Sequence, residues 1–365
     1  MQGLIKISKY AGMRNDLAQA GGGNTSVKLD DQVMLVKSSG FQLADVGEET
    51  GYSKVDYRLI VDYFEKNIKA DGESPSGQMS ETADTFTEEA GKELLAQAQI
   101  DGGRASIETF LHAITGKYTL HSHPTLVNIL TARKDGEEIL RQLFPKAIFV
   151  PYRKPGAALA EAYYKRYCGR QAKGTDETVV FLASHGLVVS GHSADQVIGR
   201  TEEILQKISS YLELSYEAYP NATKLWDAFA KIPGLNDKIV YLSENQSLSR
   251  DGAAKAVLRE GKWNHAFCPD CVVYGSKRPL FLADDFCKAD ITAFIEKNGI
   301  PAMACYKGYF YILAESVKKA QEIENVMSFA AQVQAANLSH ETNILDEGQQ
   351  DALLNWDAEK YRRQL

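Results

Sequence analysis

The stretch KYTLHSHPTLVNIL, residues 117–130, combines a fold signal with a chemical one. YTLHSH reads as a strand that runs into the helix PTLVNILTAR, whose first turn tolerates Pro124. Side chains two residues apart on a strand point to the same face of the sheet. His121 and His123 are therefore predicted to direct two imidazoles toward one point, where they could share a metal ion.

Alternating strand-like and helix-like segments continue on both sides of this stretch. SVKLDDQVMLVKS, residues 26–38, predicts a hairpin, and SADQVIGRTEEILQKISSYLEL, residues 193–214, predicts a long helix. DGESPSGQMSETAD, residues 71–84, is polar and rich in helix breakers, which predicts a loop. After about residue 219 the pattern changes to a helical linker, followed by segments typical of a second, smaller α/β unit. We therefore expect two domains, a larger one over residues 1–218 and a smaller α/β one over residues 219–365.

Composition and charge argue against several classes of protein. The chain has 365 residues, of which 44% are hydrophobic, so a globular core of useful size can form. The net charge is −7 and long Lys/Arg runs are missing, which argues against nucleic acid as a partner. No apolar run reaches the roughly 18 to 20 residues needed to cross a bilayer, and the start of the chain has no signal-peptide pattern. Five cysteines form no disulfide framework, so we expect a cytoplasmic protein with reduced thiols and no membrane partner.

A third histidine is needed if the first two bind a catalytic metal. Such zinc sites usually have three protein ligands and one open position. His185 is the best candidate, because it lies between the apolar strand-like runs VVFLAS and GLVVSG, where a solvated histidine is not expected. Gly186 beside it allows close approach of the backbone. An H-x-H pair and a single buried histidine are also common in purely structural roles, so both interpretations stay open on these residues alone.

Five short motifs follow one another along the chain: AGGGNTSVKL, VKSSG, SIETFLHA, HSHP and SHGLVVSG. Together they resemble the class II aldolase/adducin family of metal-dependent sugar-phosphate aldolases, over roughly residues 12–214. HAFCPDCVVYGSKRPLFL, residues 265–282, resembles the region that follows the aldolase module in bifunctional rhamnulose-phosphate aldolase/alcohol dehydrogenases. The resemblance implies a three-layer α/β fold with a central, mainly antiparallel sheet, followed by a smaller C-terminal α/β domain. It also implies a homo-oligomer, with a tetramer favoured.

The resemblance assigns roles to individual residues of the predicted centre. The H-x-H motif gives His121 and His123 as metal ligands, and the HGL motif gives His185 as the third. The expected metal is one Zn²⁺ per subunit, with Mn²⁺ and Co²⁺ as alternatives. Three neutral imidazoles would leave the full double charge of the ion available to polarise a substrate. Glu108, in SIETFLHA, matches the acid/base residue of the family.

Two loops and one serine match the positions that hold the substrate phosphate in the family. The implied residues are Gly23, Asn24, Ser38, Ser39, Gly40 and Ser106. The glycines of the first loop precede a strand and do not join a strand to a helix, so they do not predict a dinucleotide site. Fuculose-type aldolases carry two serines directly before the glutamate, whereas Ala105-Ser106-Ile107 precedes it here. This departure leaves open whether the anionic group of the ligand is a phosphate, and a plain hairpin loop is the alternative.

The function implied by the resemblance is a zinc-dependent aldolase, a carbon–carbon lyase. It would cleave or form a bond in a ketose phosphate or related sugar through a metal-bound enediolate, with Glu108 moving the proton. The alternatives are a sugar-phosphate 4-epimerase or decarboxylase on the same scaffold, and a non-enzymatic adducin-like module. His112 is interpreted as a packed helix histidine. Cys268 and Cys271 form a single C-x-x-C pair, which lacks the second pair of a structural zinc site and the setting of a redox motif.

Overall fold

The computed structural model describes residues 1–68, 85–171 and 178–356 of the chain. The loop predicted over residues 71–84 lies outside the described residues. The chain divides into two compact units, Met1–Tyr216 and Glu217–Leu365. Within the described ranges, no helix is long and apolar enough to cross a membrane.

The first unit contains a large sheet with helices on both sides. Its strands are β1 (Asn24–Lys28), β2 (Val33–Lys37), β3 (Tyr52–Asp56), β4 (Gln99–Gly102), β5 (Tyr118–Ser122), β6 (Ile148–Val150), β7 (Thr178–Leu182) and β8 (Gly186–Gly191). Its helices are α1 (Gln2–Gly12), α2 (Tyr57–Asn67), α3 (Glu88–Ala98), α4 (Thr109–Ile114), α5 (Thr125–Thr131), α6 (Gly136–Leu143), α7 (Ala157–Gln171) and α8 (Ala194–Leu212), with a 3-10 turn at Leu43–Asp45.

The strand order brings the middle of the chain to the middle of the sheet. The order is β4-β3-β2-β1-β5-β8-β7-β6, and in this described part of the unit only the edge pair β6–β7 is parallel. β5 lies between β1 and β8, and the β5–β8 register pairs His121 with Val188 and Ser122 with Leu187. The arrangement confirms the predicted α/β fold with a central, mainly antiparallel sheet.

The two faces of this sheet bury different apolar clusters, which gives three layers. Side chains alternate between faces along a strand, so one face of β2 carries Leu35 and the other carries Met34 and Val36. Leu35 packs in a cluster with Leu4 of α1. Met34 and Val36 belong to a larger cluster that includes Phe64 of α2 and residues of α3, α4 and α7.

Local signals in the sequence fix several element ends. The β1–β2 hairpin turns at Asp30, whose carboxylate accepts hydrogen bonds from the backbone N–H groups of Gln32 (2.8 Å) and Val33 (2.7 Å). α8 begins after Ser193, whose hydroxyl accepts from the N–H of Gln196 at 3.2 Å, as predicted.

The second unit contains a smaller sheet with its own helices. Its strands are β9 (Ile239–Leu242), β10 (Leu280–Leu282), β11 (Met303–Tyr306) and β12 (Tyr309–Ala314), in the order β10-β11-β12-β9. Its helices are α9 (Ala218–Phe229), α10 (Ala253–Arg259), α11 (Pro269–Gly275), α12 (Lys288–Asn298), α13 (Val317–Ala336) and α14 (Glu347–Asn355), with a 3-10 turn at Gln246–Leu248. The two-residue turn between β11 and β12 holds Lys307 and Gly308 at positive φ (51° and 78°), as a tight hairpin requires. The smaller α/β unit predicted at the C-terminal side is therefore present.

Candidate metal centre

The three predicted histidine ligands come from two neighbouring parts of the central sheet. His121 lies in β5, which ends at Ser122, and His123 is the first residue beyond the strand. His185 lies in the turn between β7 and β8. The preceding residue, Ser184, has a φ of 51°, a left-handed conformation that a non-glycine residue seldom adopts. Because β5 pairs with β8 and Ser122 lies opposite Leu187, His185 lies near the end of β5.

The imidazoles converge through their Nε2 atoms. The Nε2 atoms of His121 and His123 are 3.2 Å apart, and those of His121 and His185 are 3.3 Å apart. The ring centroids of the three pairs are separated by 4.8 to 5.1 Å. Three imidazole nitrogens at such distances can point at one cation, and their role as metal ligands stays a prediction.

Glu108 completes this cluster from the other side. It is the N-cap residue of α4, and its Oε1 atom lies 3.3 Å from Nε2 of His121 and 3.7 Å from Nε2 of His185. One ligand atom from each of Glu108, His121, His123 and His185 lies within 4.8 Å of all the others. The backbone N–H of Glu108 donates to the hydroxyl of Ser106 at 3.3 Å, which ties the serine before the glutamate to the same turn.

The electrostatics of the cluster suit cation binding. Burial, followed by the neighbouring rings of His121 and His185, lowers the pKa of His123 to about 3, so this imidazole is neutral near pH 7. Burial alone would raise the pKa of Glu108, but the charge of His121 and the hydrogen bonds from His121 and His185 outweigh it. The pKa of Glu108 therefore lies well below its usual range, and the carboxylate is ionised.

Contacts behind the clustered histidines orient two of the rings. Nδ1 of His121 donates to the carbonyl of Leu187 at 3.1 Å, which fixes the orientation of this ring with Nε2 directed into the cluster. Gly22 packs so closely on His123 that a Cβ there would lie 2.8 Å from its Nδ1 atom. Gly186 allows β8 to approach β5, since a Cβ there would lie 2.3 Å from the carbonyl oxygen of Ser122.

The donor set fits a zinc-like ion. Three imidazole nitrogens with a carboxylate beside them are ligand types that Zn²⁺ and related divalent ions prefer. At least one of the imidazoles is neutral near pH 7, and neutral imidazole is the form that binds metal. The buried Nδ1 of His185 has no hydrogen-bond partner among the described residues.

The residues predicted to hold an anion differ in how far they are buried. Asn24 of β1 pairs with His121, is fully buried, and its Nδ2 has no partner among the described residues. Gly23 precedes it with a φ of 79°. Ser39 and Gly40 are exposed, whereas the hydroxyl of Ser38 is buried and bonds to Ser53 at 2.8 Å. The structure brings Asn24 and Ser106 to the cluster most directly, and the roles of all six residues stay predictions.

Two buried side chains near the cluster carry features that the sequence does not reveal. Lys37, at the end of β2, is 3% exposed, and its ammonium donates to the carbonyl of Phe41 at 2.8 Å. Burial lowers its pKa, while Glu108 acts on it in the opposite direction. His112 is fully buried in α4, and its Nδ1 forms a 2.8 Å hydrogen bond with the hydroxyl of Ser26. The packed role predicted for His112 agrees with this placement, whereas a lysine that ends a strand gives no signal of burial.

Comparisons with known proteins assign the chain to a family. Among curated proteins, none matches this sequence. Solved structures of several proteins align with the chain at low identity. They include the N-terminal class II aldolase domain of a protein from Thermoplasma acidophilum (24% identity, 57% of this chain and 92% of that one, TM-score 0.46), a sugar-phosphate aldolase from Thermotoga maritima (16%, 58% and 94%, 0.39) and L-fuculose-1-phosphate aldolase from Thermus thermophilus (17%, 62% and 95%, 0.33). The sequence model of the class II aldolase and adducin N-terminal domain matches residues 2–211, so this chain belongs to the class II aldolase/adducin family.

Proposed function

We propose that this chain is a metal-dependent aldolase that cleaves or forms a carbon–carbon bond in a ketose phosphate or related sugar. The observation that supports the proposal most directly is the cluster of one carboxylate and three imidazole donors within 4.8 Å. His121, His123 and His185 would hold the metal, with Zn²⁺ favoured over Mn²⁺ and Co²⁺. A divalent cation supplies Lewis-acid polarisation of a substrate carbonyl when it is bound at such a site.

Glu108 is the proposed acid and base. Its low pKa keeps the carboxylate ionised near neutral pH, which is the form that removes a proton from carbon in the direction of bond formation. In the direction of cleavage, the same carboxyl would return a proton to that carbon. Its position at the start of α4, fixed by the hydrogen bond from its own N–H to Ser106, holds the carboxylate next to the imidazole cluster.

The side chains around the cluster would bind the rest of the substrate. The buried Nδ2 group of Asn24, without a partner among the described residues, is a donor suited to an anionic or hydroxyl oxygen. The exposed Ser39 and Gly40 offer backbone and hydroxyl donors on the loop after β2. We propose a sugar or sugar phosphate as the substrate, in a cytoplasmic homo-oligomer with a tetramer favoured. Light scattering of the purified protein tests the oligomer directly.

Two measurements test the enzymatic proposal. Metal analysis of the purified protein should find about one equivalent of a divalent transition metal per chain, and less than about a tenth would favour a non-enzymatic adducin-like module. Replacing Glu108 by glutamine should leave the metal content intact and reduce turnover of a ketose phosphate by at least about a thousandfold. Retained turnover would remove the acid/base assignment. Product analysis separates cleavage from 4-epimerisation and decarboxylation, since only cleavage yields two carbonyl fragments.

A structure with phosphoglycolohydroxamate, a mimic of the enediolate, would test the whole arrangement. The proposal expects its two oxygens on the metal beside Glu108, and its phosphate near Asn24 and the loop at Ser39. Phosphate density at another place would refute the assignment of these residues while leaving the metal ligands untouched.

A further inference from the structure

His123 leaves the central sheet, whereas His121 remains within it. The backbone N–H of His123 donates to the carbonyl of Leu17 at 2.8 Å and not to a neighbouring strand. Two residues later, the N–H of Thr125 donates to the carbonyl of Asp16, also at 2.8 Å. The loop at Asp16 and Leu17 thus takes the place of a strand partner on both sides of Pro124. The direction of the His123 imidazole therefore depends on where this loop lies.

A buried cluster of charged and phenolic groups fixes that loop from inside the unit. Nε and Nη2 of Arg14 donate to the two carboxylate oxygens of Asp16, at 3.0 and 2.7 Å. Nη1 of Arg14 donates to Glu202 of α8, and Nη2 also donates to the hydroxyl of Tyr216 at 2.6 Å. Arg14 is 1% exposed and Asp16 is 7% exposed. A two-pronged guanidinium–carboxylate pair has a fixed relative geometry, so the position of Asp16 follows from that of Arg14.

Displacement of Asp16 would break two hydrogen bonds between buried charged groups. Buried charges are unfavourable unless they are paired and hydrogen-bonded, so moving Asp16 away would leave the guanidinium of Arg14 partly unpaired in the interior. The backbone carbonyls of Asp16 and Leu17 are held by the same requirement. The Arg14 side chain fixes Asp16, and the carbonyls of Asp16 and Leu17 accept the two hydrogen bonds that flank Pro124. The position of the adjacent ligand, His123, is thereby defined by residues more than 100 positions earlier in the chain.

We propose that Arg14 and Asp16 are positioning residues of the metal centre. Their ion pair holds the carbonyls that place His123, and in this way it sets the affinity of the centre for a divalent cation. Neither residue touches the cation or the substrate. The inference rests on the proposed function only through the assignment of His123 as a metal ligand.

The test compares metal affinity with folding stability in matched variants. Asp16→Asn keeps the shape of the side chain but removes its charge. Arg14→Lys keeps the positive charge but removes the guanidinium that donates two parallel hydrogen bonds to Asp16. Glu161→Gln is the control, because Glu161 forms another buried ion pair of this unit, with Lys165 at 2.8 Å. Apo-protein is titrated with Co²⁺ and followed by visible absorption, and unfolding is followed by circular dichroism. Loss of outer contacts typically weakens metal binding 10- to 100-fold, so the two test variants should bind Co²⁺ about 10-fold more weakly, and the control should match wild type.

The outcomes separate this inference from the proposed function. Unchanged Co²⁺ affinity in Asp16→Asn and Arg14→Lys, in a wild type that does bind Co²⁺, overturns the positioning role alone. An equal loss of affinity in Glu161→Gln also overturns it, because general destabilisation would then explain the effect. If one test variant does not fold, the other decides. A wild type that binds no Co²⁺ overturns the metal centre and the positioning role together.

Discussion

Replacing Gly22 by alanine should weaken metal binding although it removes no ligand and no hydrogen bond. The added Cβ would lie 2.8 Å from Nδ1 and 3.0 Å from Cε1 of His123, and 3.0 Å from the carbonyl oxygen of Gln19. Ordinary contact begins at 3.4 Å, so the ring must retreat by about 0.6 Å. Metal–ligand distances tolerate about 0.2 Å. We therefore expect the dissociation constant to rise about 10- to 100-fold, which corresponds to about 1.4 to 2.7 kcal/mol.

Gly21 supplies a matched control in the same loop. A Cβ at Gly21 would have no heavy atom within 4 Å, and neither glycine has a positive φ, so both positions accept alanine without backbone strain. The two substitutions restrict the unfolded chain equally. The assay is titration of the apo-protein with Co²⁺, read by visible absorption, with circular dichroism as the check of folding.

Equal affinities in the two variants would refute the reasoning. They would mean either that the imidazole of His123 moves without consequence for the metal, or that His123 is not a ligand. A change in the Co²⁺ spectrum of Gly22→Ala at unchanged affinity would also contradict the stated magnitude. It would show that the His123 imidazole can shift without a loss of binding free energy.

The remaining predictions concern one other glycine and two other histidines. Gly186→Ala should destabilise the apo-protein by about 3 kcal/mol in urea unfolding, because its Cβ would meet the carbonyl oxygen of Ser122 at 2.3 Å. His185→Ala should weaken Co²⁺ binding by more than about 100-fold in the same titration, since a direct ligand contributes more than an outer contact. Burial lowers the pKa of His265 to about 4, against about 6.5 in an unfolded chain. The unfolded chain therefore takes up a proton first as the pH falls, and up to ~3 kcal/mol of stability is lost between pH 6.5 and 4. His265→Gln should remove this loss in unfolding followed by tryptophan fluorescence, and the exposed His340→Gln should keep it.

Local patterns predicted the elements well, and they singled out three of the residues that meet in the candidate cluster. The alternation along YTLHSH predicted His121 and His123 on one side, although β5 ends at Ser122 and the backbone of His123 is held by Leu17 outside the sheet. The apolar runs around His185 marked it as unusual. The distance between these two groups was not readable from any local pattern. It depends on the pairing of β5 with β8, whose residues are more than 60 positions apart, and the register of such a pairing is set by the whole core.

The residues that support the histidine cluster could not be predicted from the sequence, for a different reason. MRND, residues 13–16, reads as a polar segment after a helix, and nothing in it indicates that Arg14 is buried. Its partner Glu202 lies 188 positions later, and only the packing of α1 against α8 brings the two together. Likewise, GGGNTS indicates a tight turn, whereas the contact between Gly22 and the His123 ring requires the finished sheet. Burial of polar groups through long-range contacts is the part that periodicity cannot predict.

The position of β5 in the centre of the strand order has a consequence for how the protein matures. His121 and His185 are far apart in the chain and meet only when β5 and β8 have paired. Closing so long a loop is entropically unfavourable. A chain in which only local hairpins have formed does not yet bring the three histidines together. Binding of a metal at the proposed centre would therefore follow the pairing of β5 with β8. A metal bound at the proposed centre would crosslink β5 to the turn before β8. Its removal by a chelator would therefore lower the stability of the central strands first, and not that of the edge strands.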